Sequence, residues 1–324
     1  MTPQEIYQLV APDLVKVEQE LQGYTHAAID PIAEIGDHLL NAGGKRIRPA
    51  LLLLTTRMLG EVTPAAIQLA AVVELIHNAT LVHDDIIDGA DTRRGRPSAN
   101  AQWGNSMTVL AGDWLYMQSF FVALGVRNFE ILGTLIEITQ QMVEGEMLQL
   151  TLLGNADASA EQLLDIVKRK TAFLFSGCMK LAAIASGRDS KTAECLGNIG
   201  MNLGMAFQLI DDSLDLTSSR NALGKPVGSD LKEGKLTLPV SWVLRNGDLE
   251  GAAKIRRVIS ERSFGSVTCG EILTAVQKCD GLGQTRAIAE NYVRQAKSAL
   301  EKFPQSQYRD AIISIPDFIM NRTA

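Results

Sequence analysis

Aromatic residues make up only 5% of this chain, and runs in which apolar and polar residues alternate are scarce. That combination argues against a β-sandwich or barrel, whose strands would recur at regular spacing. Cysteine is equally sparse. Cys178, Cys195, Cys269 and Cys279 are scattered, with no CxxC pair and no neighbouring histidine, so neither a disulfide framework nor a zinc site is expected. They read as small buried thiols in a reducing compartment. A basic excess is missing too: the net charge is −6, which argues against non-specific nucleic-acid binding. The N-terminal MTPQEIYQLV has neither the basic start nor the apolar core of a signal peptide. The longest apolar stretch, Leu69 to Val82, is interrupted by Glu74 and His77 and reads as too short and too polar to span a bilayer. A cytoplasmic protein without a membrane anchor is expected.

What the chain has in quantity is apolar residues, 46% of 324, arranged at helical spacing. Helices are expected at about Pro3–Leu21, Ile29–Leu40, Ile47–Leu59, Pro64–Asp88, Glu130–Leu152, Ala160–Ser186, Lys191–Leu216, Thr237–Leu244, Gly270–Lys278 and Gln284–Lys302. Gly43-Gly44 offers a left-handed stop, Thr63-Pro64 a cap followed by proline at the first helical position, and Ser159 a further cap. The longest stretches without helical pattern, Gly89–Ser98 and Thr217–Gly234, each follow an aspartate cluster. Long loops inside a compact domain are often functional. The expected architecture is all-α, a single domain over 1–324, built as one large bundle of ten or more helices.

The chemistry concentrates in the two clusters. DDIID sets Asp84 and Asp88 four residues apart on one helical face, with Asp85 about 100° round from the first. DDSLD repeats the pattern at Asp211, Asp212 and Asp215. Both follow strongly apolar runs, so the carboxylates are expected at the ends of buried helices, where a cation or basic partner is needed. Carboxylate oxygens suit Mg²⁺, which completes its shell with water and phosphate oxygens. A solvated acidic helix end explains one such cluster about as well, but explains two followed by basic loops poorly. The basic residues are Arg93-Arg94 after the first cluster, Lys225 and Lys235 around the loop after the second, Lys45, Arg46 and Arg48 in GGKRIRP, and Lys170 before Thr171. Arginine offers phosphate a bidentate fork and lysine a mobile point charge. His77, two turns before Asp84 on the same face, is read as a phosphate contact rather than a core histidine.

Five segments, GGKRIRPAL, LVHDDIIDGADTRRGRP, KTAFLF, AFQLIDDSLDL and GKPVGSDLKEGKLTLP, resemble in content and order the motifs of the trans-type polyprenyl diphosphate synthases. The resemblance spans roughly residues 35 to 240, without departure at the core catalytic positions. It implies the isoprenoid synthase fold, with helices around a central apolar cavity. It implies that Asp84 and Asp88 hold Mg²⁺ carrying an allylic diphosphate, with Asp85 beside them. Asp211 is the principal ligand of the second cluster, Asp212 and Asp215 binding directly or through water. Arg93, Lys170, Lys225 and Lys235 hold the allylic diphosphate, and Thr171 and Gln208 lie near the reacting carbons. Lys45, Arg48, His77 and Arg94 form a metal-free site for isopentenyl diphosphate. About three Mg²⁺ ions are implied with substrate bound, Mn²⁺ substituting. The implied partners are isopentenyl diphosphate, an allylic diphosphate (farnesyl or geranylgeranyl) and a second copy of the chain as a homodimer. The long product would bring loose membrane association.

The chemistry implied is ionisation, condensation and proton loss. A helical turn rises about 5.4 Å, close to one isoprene unit, so each turn below Asp84 is a stopping point for the growing chain. Ala79 and Thr80 stand one turn below, and Ile76, Val73 and Val72 deeper. None is aromatic, which in this family lets the chain pass, so a product longer than C20, roughly C30 to C50, is expected. Phe120, Phe121, Leu132 and Leu135 are candidates for the tunnel floor. Three readings compete: a short-chain synthase, a terpene cyclase and a non-catalytic subunit of a heteromeric synthase. A cyclase usually lacks a second full DDxxD, and a regulatory subunit tends to lose aspartates or basic residues that are complete here.

Overall fold

The computed structural model describes residues 1–25, 29–41, 43–93, 95–217 and 227–321. Helices dominate, as expected. The β-structure among the described residues is one antiparallel pair, β1 (Thr92–Arg93) with β2 (Arg96–Pro97). The chain separates into two compact units, one of Met1–Thr139, Gly177–Gly197 and Phe303–Ile312, the other of Gln140–Ser176, Asn198–Lys302 and Ile313–Ala324.

The first unit is organised by α5 (Pro64–Ile87), with every residue from Leu69 to Ile76 buried. A helix apolar on all sides has to be enclosed, and α2 (Ala11–Thr25), α4 (Ile47–Leu59) and α7 (Asn105–Gly125) enclose it, α7 most extensively. Thr63 caps α5 by accepting a hydrogen bond from the Ala66 N–H at 3.3 Å, with Pro64 next in the chain. The helix is longer than the apolar stretch it contains. By length and composition α5 and α7 are both able to cross a bilayer, a correction to the expectation from Leu69–Val82 alone. In α5, 72% of the apolar window is buried within the protein, so its apolarity serves the core; in α7 the share is 39%. The outer face of α7 carries an exposed stripe of Met107, Leu110, Met117, Phe121 and Leu124. Apolar residues on both faces are why α7 has no amphipathic signature in the sequence.

The N-terminal helix expected at Pro3–Leu21 is two helices, α1 (Pro3–Gln8) and α2. The next, α3 (Asp30–Asn41), is followed by Gly43 at φ +71°, the left-handed stop expected there. A short α6 (Ala99–Trp103) precedes α7, and α8 (Phe129–Thr151) follows it.

In the second unit the expected helix Ala160–Ser186 is broken. Helix α9 (Ala160–Val167), with a capping box between Ser159 and Gln162, leads into a five-residue π-turn, Lys168–Ala172, and then α10 (Phe173–Ala185). Two glycines give the wider turn its room. A Cβ on Gly145 would lie 2.6 Å from the Arg169 Cβ, and one on Gly204 would lie 2.5 Å from the Ala172 Cα. Next along the chain are α11 (Ser190–Thr217), the short α12 (Ser229–Lys232) and α13 (Leu238–Asn246). They are followed by α14 (Leu249–Glu261), α15 (Cys269–Lys278), α16 (Gly281–Leu300) and α17 (Gln307–Met320). Helix α13 packs on α9, α14, α15 and α16 around an apolar cluster that includes Leu238, Val240, Ile255, Val258 and Val276.

Close backbone approaches make a stability test. A Cβ on Gly200 would fall 2.4 Å from the Phe175 carbonyl oxygen, whereas Gly23 in α2 faces open space. Urea denaturation of Gly200→Ala is expected to show a loss of about 1–3 kcal/mol from overpacking. Gly23→Ala should gain about 0.4–1 kcal/mol by restricting the unfolded chain. Equal midpoints for the two variants would contradict the packing described.

Candidate functional site

The last turn of α5 presents the first cluster. Asp84 is half-buried and Asp88, at the helix C-cap, is exposed; only Asp85 is buried. The carboxylates stand at the end of a buried helix, and within the cluster burial is confined to Asp85. The helix ends as the chain reaches the surface, leaving the i and i+4 carboxylates at its rim. Asp85 does not stand alone. Arg93, carried back by the β1–β2 hairpin, donates from Nε to both its oxygens at 2.8 Å, and Nη2 lies 2.6 Å from Oδ1. Burial acts to lower the Arg93 pKa, but Asp85, then Asp84 and Asp88, raise it overall. All three aspartates thus act on one guanidinium. Arg94 lies outside the described residues.

His83, beside Asp84, was not anticipated. Its Nε2 is 3.1 Å from the Val109 carbonyl oxygen and 3.5 Å from Asp113, and its ring packs near Tyr116. A Cβ on Gly112 would collide with it at 2.3 Å. The ring thereby fixes the end of α5 against α7. A histidine followed by two aspartates reads as an acidic motif, and Gly112 was the one signal of the close approach.

Elsewhere on α5, His77 is half-buried and its carbonyl accepts from the Thr80 hydroxyl at 2.7 Å. Ala79, Ile76, Val73 and Val72 are fully buried. Of the tunnel-floor candidates, Leu135 is buried and Phe120 and Leu132 half-buried, but Phe121 is 71% exposed and faces outward on α7. Phe121 is therefore not a wall of a cavity in its own chain. In GGKRIRP, Lys45 is exposed and Arg48 half-buried at the start of α4, whereas Arg46 turns inward to acidic partners.

The second unit carries the other cluster on α11. Asp212 and Asp215 are buried and Asp211 half-buried. Asp215 Oδ2 accepts from the Asp230 N–H at 3.3 Å, at the start of α12. Desolvation raises the Asp212 carboxyl well above its ordinary 3.8, and Asp230, Asp211 and Asp215 add to this; a hydrogen bond from Gln208 opposes it. Asp230 escaped the sequence reading because it sits in the loop after the cluster. Gln208 donates to Asp212 Oδ1 at 2.8 Å, and its Oε1 accepts from the Thr171 hydroxyl at 2.8 Å. The expected Thr171 and Gln208 are therefore linked to the metal-type carboxylate. Lys170, in the same π-turn, pairs with Glu146, and Lys235 with Glu233 at 2.8 Å. Lys225 lies outside the described residues.

Among the described residues no three His, Cys, Asp or Glu side chains are already gathered into a set able to ligate one ion. The donors nonetheless fit Mg²⁺. They are all carboxylates, and Mg²⁺ is commonly bound by one or two carboxylates with the rest of its shell from water and phosphate. Asp230, Asp211 and Asp215 all act against the charged form of the buried Asp212, a repulsion that a cation would relieve.

Residues 29–275 match the polyprenyl synthetase family. The octaprenyl diphosphate synthase of Haemophilus influenzae is 36% identical over 99% of this chain and 98% of its own length. That of Escherichia coli is 35% identical over 99% of each. The crystal structure of a polyprenyl synthase from Caulobacter crescentus CB15, complexed with calcium and isoprenyl diphosphate, superposes with a TM-score of 0.95. That protein is 33% identical, and the match covers 100% of this chain and 98% of the other.

The burial of Asp212 has a pH signature. Its folded pKa is raised, so between 3.8 and that higher value the folded state holds a proton the unfolded state has released. Stability is then lost as pH rises through this window. In metal-free protein, Asp212→Asn is expected to be more stable than wild type near neutrality, the gain shrinking to nothing below about pH 3.8. Thermal denaturation across pH checks it; a gain independent of pH would contradict the assignment.

Proposed function

The chain belongs to the polyprenyl synthetase family, and from that premise we propose that it condenses isopentenyl diphosphate with an allylic diphosphate in successive head-to-tail steps. It is a trans-prenyltransferase, and its product is an all-trans polyprenyl diphosphate. Long-chain synthases among its relatives support a product above C20, roughly C30 to C50, and Ala79, Thr80 and Ile76 below Asp84 are small or aliphatic, in keeping with one residue per helical turn gating growth. Farnesyl or geranylgeranyl diphosphate is the proposed starter.

The observation that carries the reading is the crowding of carboxylates at Asp212. Enzymes of this family generally use Mg²⁺; bound there, it would neutralise charge developing on the departing diphosphate. Asp84 and Asp88 are proposed to hold Mg²⁺ at the first cluster, and Asp211, Asp212 and Asp215 to hold Mg²⁺ at the second, consistent with calcium in the complexed Caulobacter relative. Arg93, Lys170, Lys225 and Lys235 hold the allylic diphosphate as charge-assisted donors. Asp85 orients Arg93, and Glu146 and Glu233 pair with Lys170 and Lys235 and place them. Thr171 and Gln208 line the approach to the reacting carbons. Lys45, Arg48, His77 and Arg94 bind isopentenyl diphosphate. The allylic carbon–oxygen bond breaks, the double bond of isopentenyl diphosphate attacks the resulting cation, and a proton then leaves to the released diphosphate. Apolar residues such as Ala79 and Ile76 keep water from the cation.

The whole chain is proposed to act as one catalytic domain in the cytoplasm, with loose membrane association through its product. A homodimer is proposed as well, covering the exposed stripe of α7. Apolar faces of that kind on a helix are normally buried by a partner.

Purified protein given farnesyl diphosphate, isopentenyl diphosphate and Mg²⁺ is expected to make product longer than C20 by mass analysis, and Ala79→Tyr to shorten it while allylic turnover persists. No condensation by pure protein would overturn the function; unchanged chain length in Ala79→Tyr would overturn the role of Ala79.

A further inference from the structure

The match to the family starts at residue 29, yet α1 and α2, which precede it, reach the GGKRIRP turn. The Tyr7 hydroxyl, on α1, donates to the carbonyl oxygen of Lys45. Glu18, on α2, accepts from Arg46 Nε at 2.6 Å and from Nη2 at 3.2 Å. The third arm of the guanidinium, Nη1, donates to Glu74 of α5 at 2.9 Å, and that carboxylate is only 4% exposed. Three helices therefore meet on two consecutive residues.

Those two residues occupy an unusual stretch of backbone. Gly43 is at φ +71°, and Arg46 is at φ +47°, a left-handed conformation uncommon for any residue with a side chain. Glycines at 43 and 44 leave the chain before Lys45 free to adopt many conformations. The left-handed twist at Arg46 sends its side chain inward to 11% exposure, while Lys45 stays exposed and Arg48 enters the first turn of α4. The cationic trio thus divides: the Arg46 guanidinium is spent inside on Glu18 and Glu74, Lys45 is exposed, and Arg48 is half-buried in the first turn of α4.

We infer that α1 and α2 are part of the isopentenyl diphosphate site, Tyr7 and Glu18 being positioning residues that hold the turn so that Lys45 and Arg48 meet the diphosphate. The inference rests on the assignment of Lys45 and Arg48 to that substrate. Tyr7 suits the task because burial, then the nearby Glu74, pushes its hydroxyl up to about 12, so it stays a protonated donor. Preorganisation of this kind raises affinity by sparing the binding step the cost of ordering the turn.

The test is steady-state kinetics with both substrates on Tyr7→Phe and Glu18→Gln, which keep the bulk of the side chains; Arg46→Ala is avoided because it would strand the buried Glu74. Each variant is expected to raise KM for isopentenyl diphosphate by roughly tenfold, the worth of one hydrogen bond, with KM for the allylic diphosphate unchanged. On a Lys45→Ala background the effect of Tyr7→Phe should shrink, since it acts through that residue. If Lys45→Ala and Arg48→Ala raise this KM but Tyr7→Phe and Glu18→Gln do not, the inference fails and the substrate assignment stands. If Lys45→Ala and Arg48→Ala themselves leave it unmoved, the assignment fails and takes the inference with it. Equal loss toward both substrates would mean general support of the fold, and would also overturn the inference.

Discussion

A carboxylate taken out of water must meet a cation or give up its charge, and the arrangement of this protein follows from how each buried acid meets that demand. In the first unit Asp13 has Arg57, its Nη2 at 2.7 Å, Glu74 has Arg46, and Asp85 has Arg93. Each pair ties together segments far apart in sequence or turns a loop back on its helix, so neutralisation also fixes geometry. Asp212 in the second unit meets a neutral amide, Gln208, and lies in the field of three further carboxylates. Arginine neutralises Asp13, Glu74 and Asp85, whereas acids crowd one another at Asp212, and this contrast is what supports the proposed cation site there.

Positioning of the polar groups around that carboxylate depends on the backbone as much as on charge. In an unbroken α-helix Thr171 and Lys170 would lie at other angles; the π-turn rotates them, as such turns do at many functional sites. Gly145 and Gly204 make the turn sterically feasible, and Glu146, Gln208 and Asp212 then take up the displaced side chains. The same logic operates at Arg46, where a left-handed residue decides which of three neighbouring cations faces the protein interior.

Much of this was legible in the sequence, for definite reasons. Helices α4 and α5 begin and end near the expected residues because Pro64, Thr63 and the glycines punctuate them. The carboxylate clusters stood out because acidic pairs at helical spacing are unfavourable without a cation. Helix α7 went unread because apolar residues cover both of its faces, and α17 because Pro316 lies inside it. The apolar runs before the two clusters are alike, whereas the first cluster reaches the surface at Asp88 and the second keeps Asp212 and Asp215 buried. That difference is set by tertiary packing, as are the π-turn, the inward course of Arg46 and the lock of His83 on Gly112; periodicity carries no record of them.

The central claim, that Asp212 and its neighbours hold their place for a cation, is tested most directly by calorimetry. Mg²⁺ with inorganic diphosphate is titrated into metal-free protein in two buffers of different ionisation enthalpy. Burial raises the Asp212 pKa, so at a pH between 3.8 and that raised value cation binding should expel a proton from it, and wild type is predicted to release more protons per ion bound than Asp212→Asn. Equal proton release from the two proteins, with Mg²⁺ bound by both, would contradict the account.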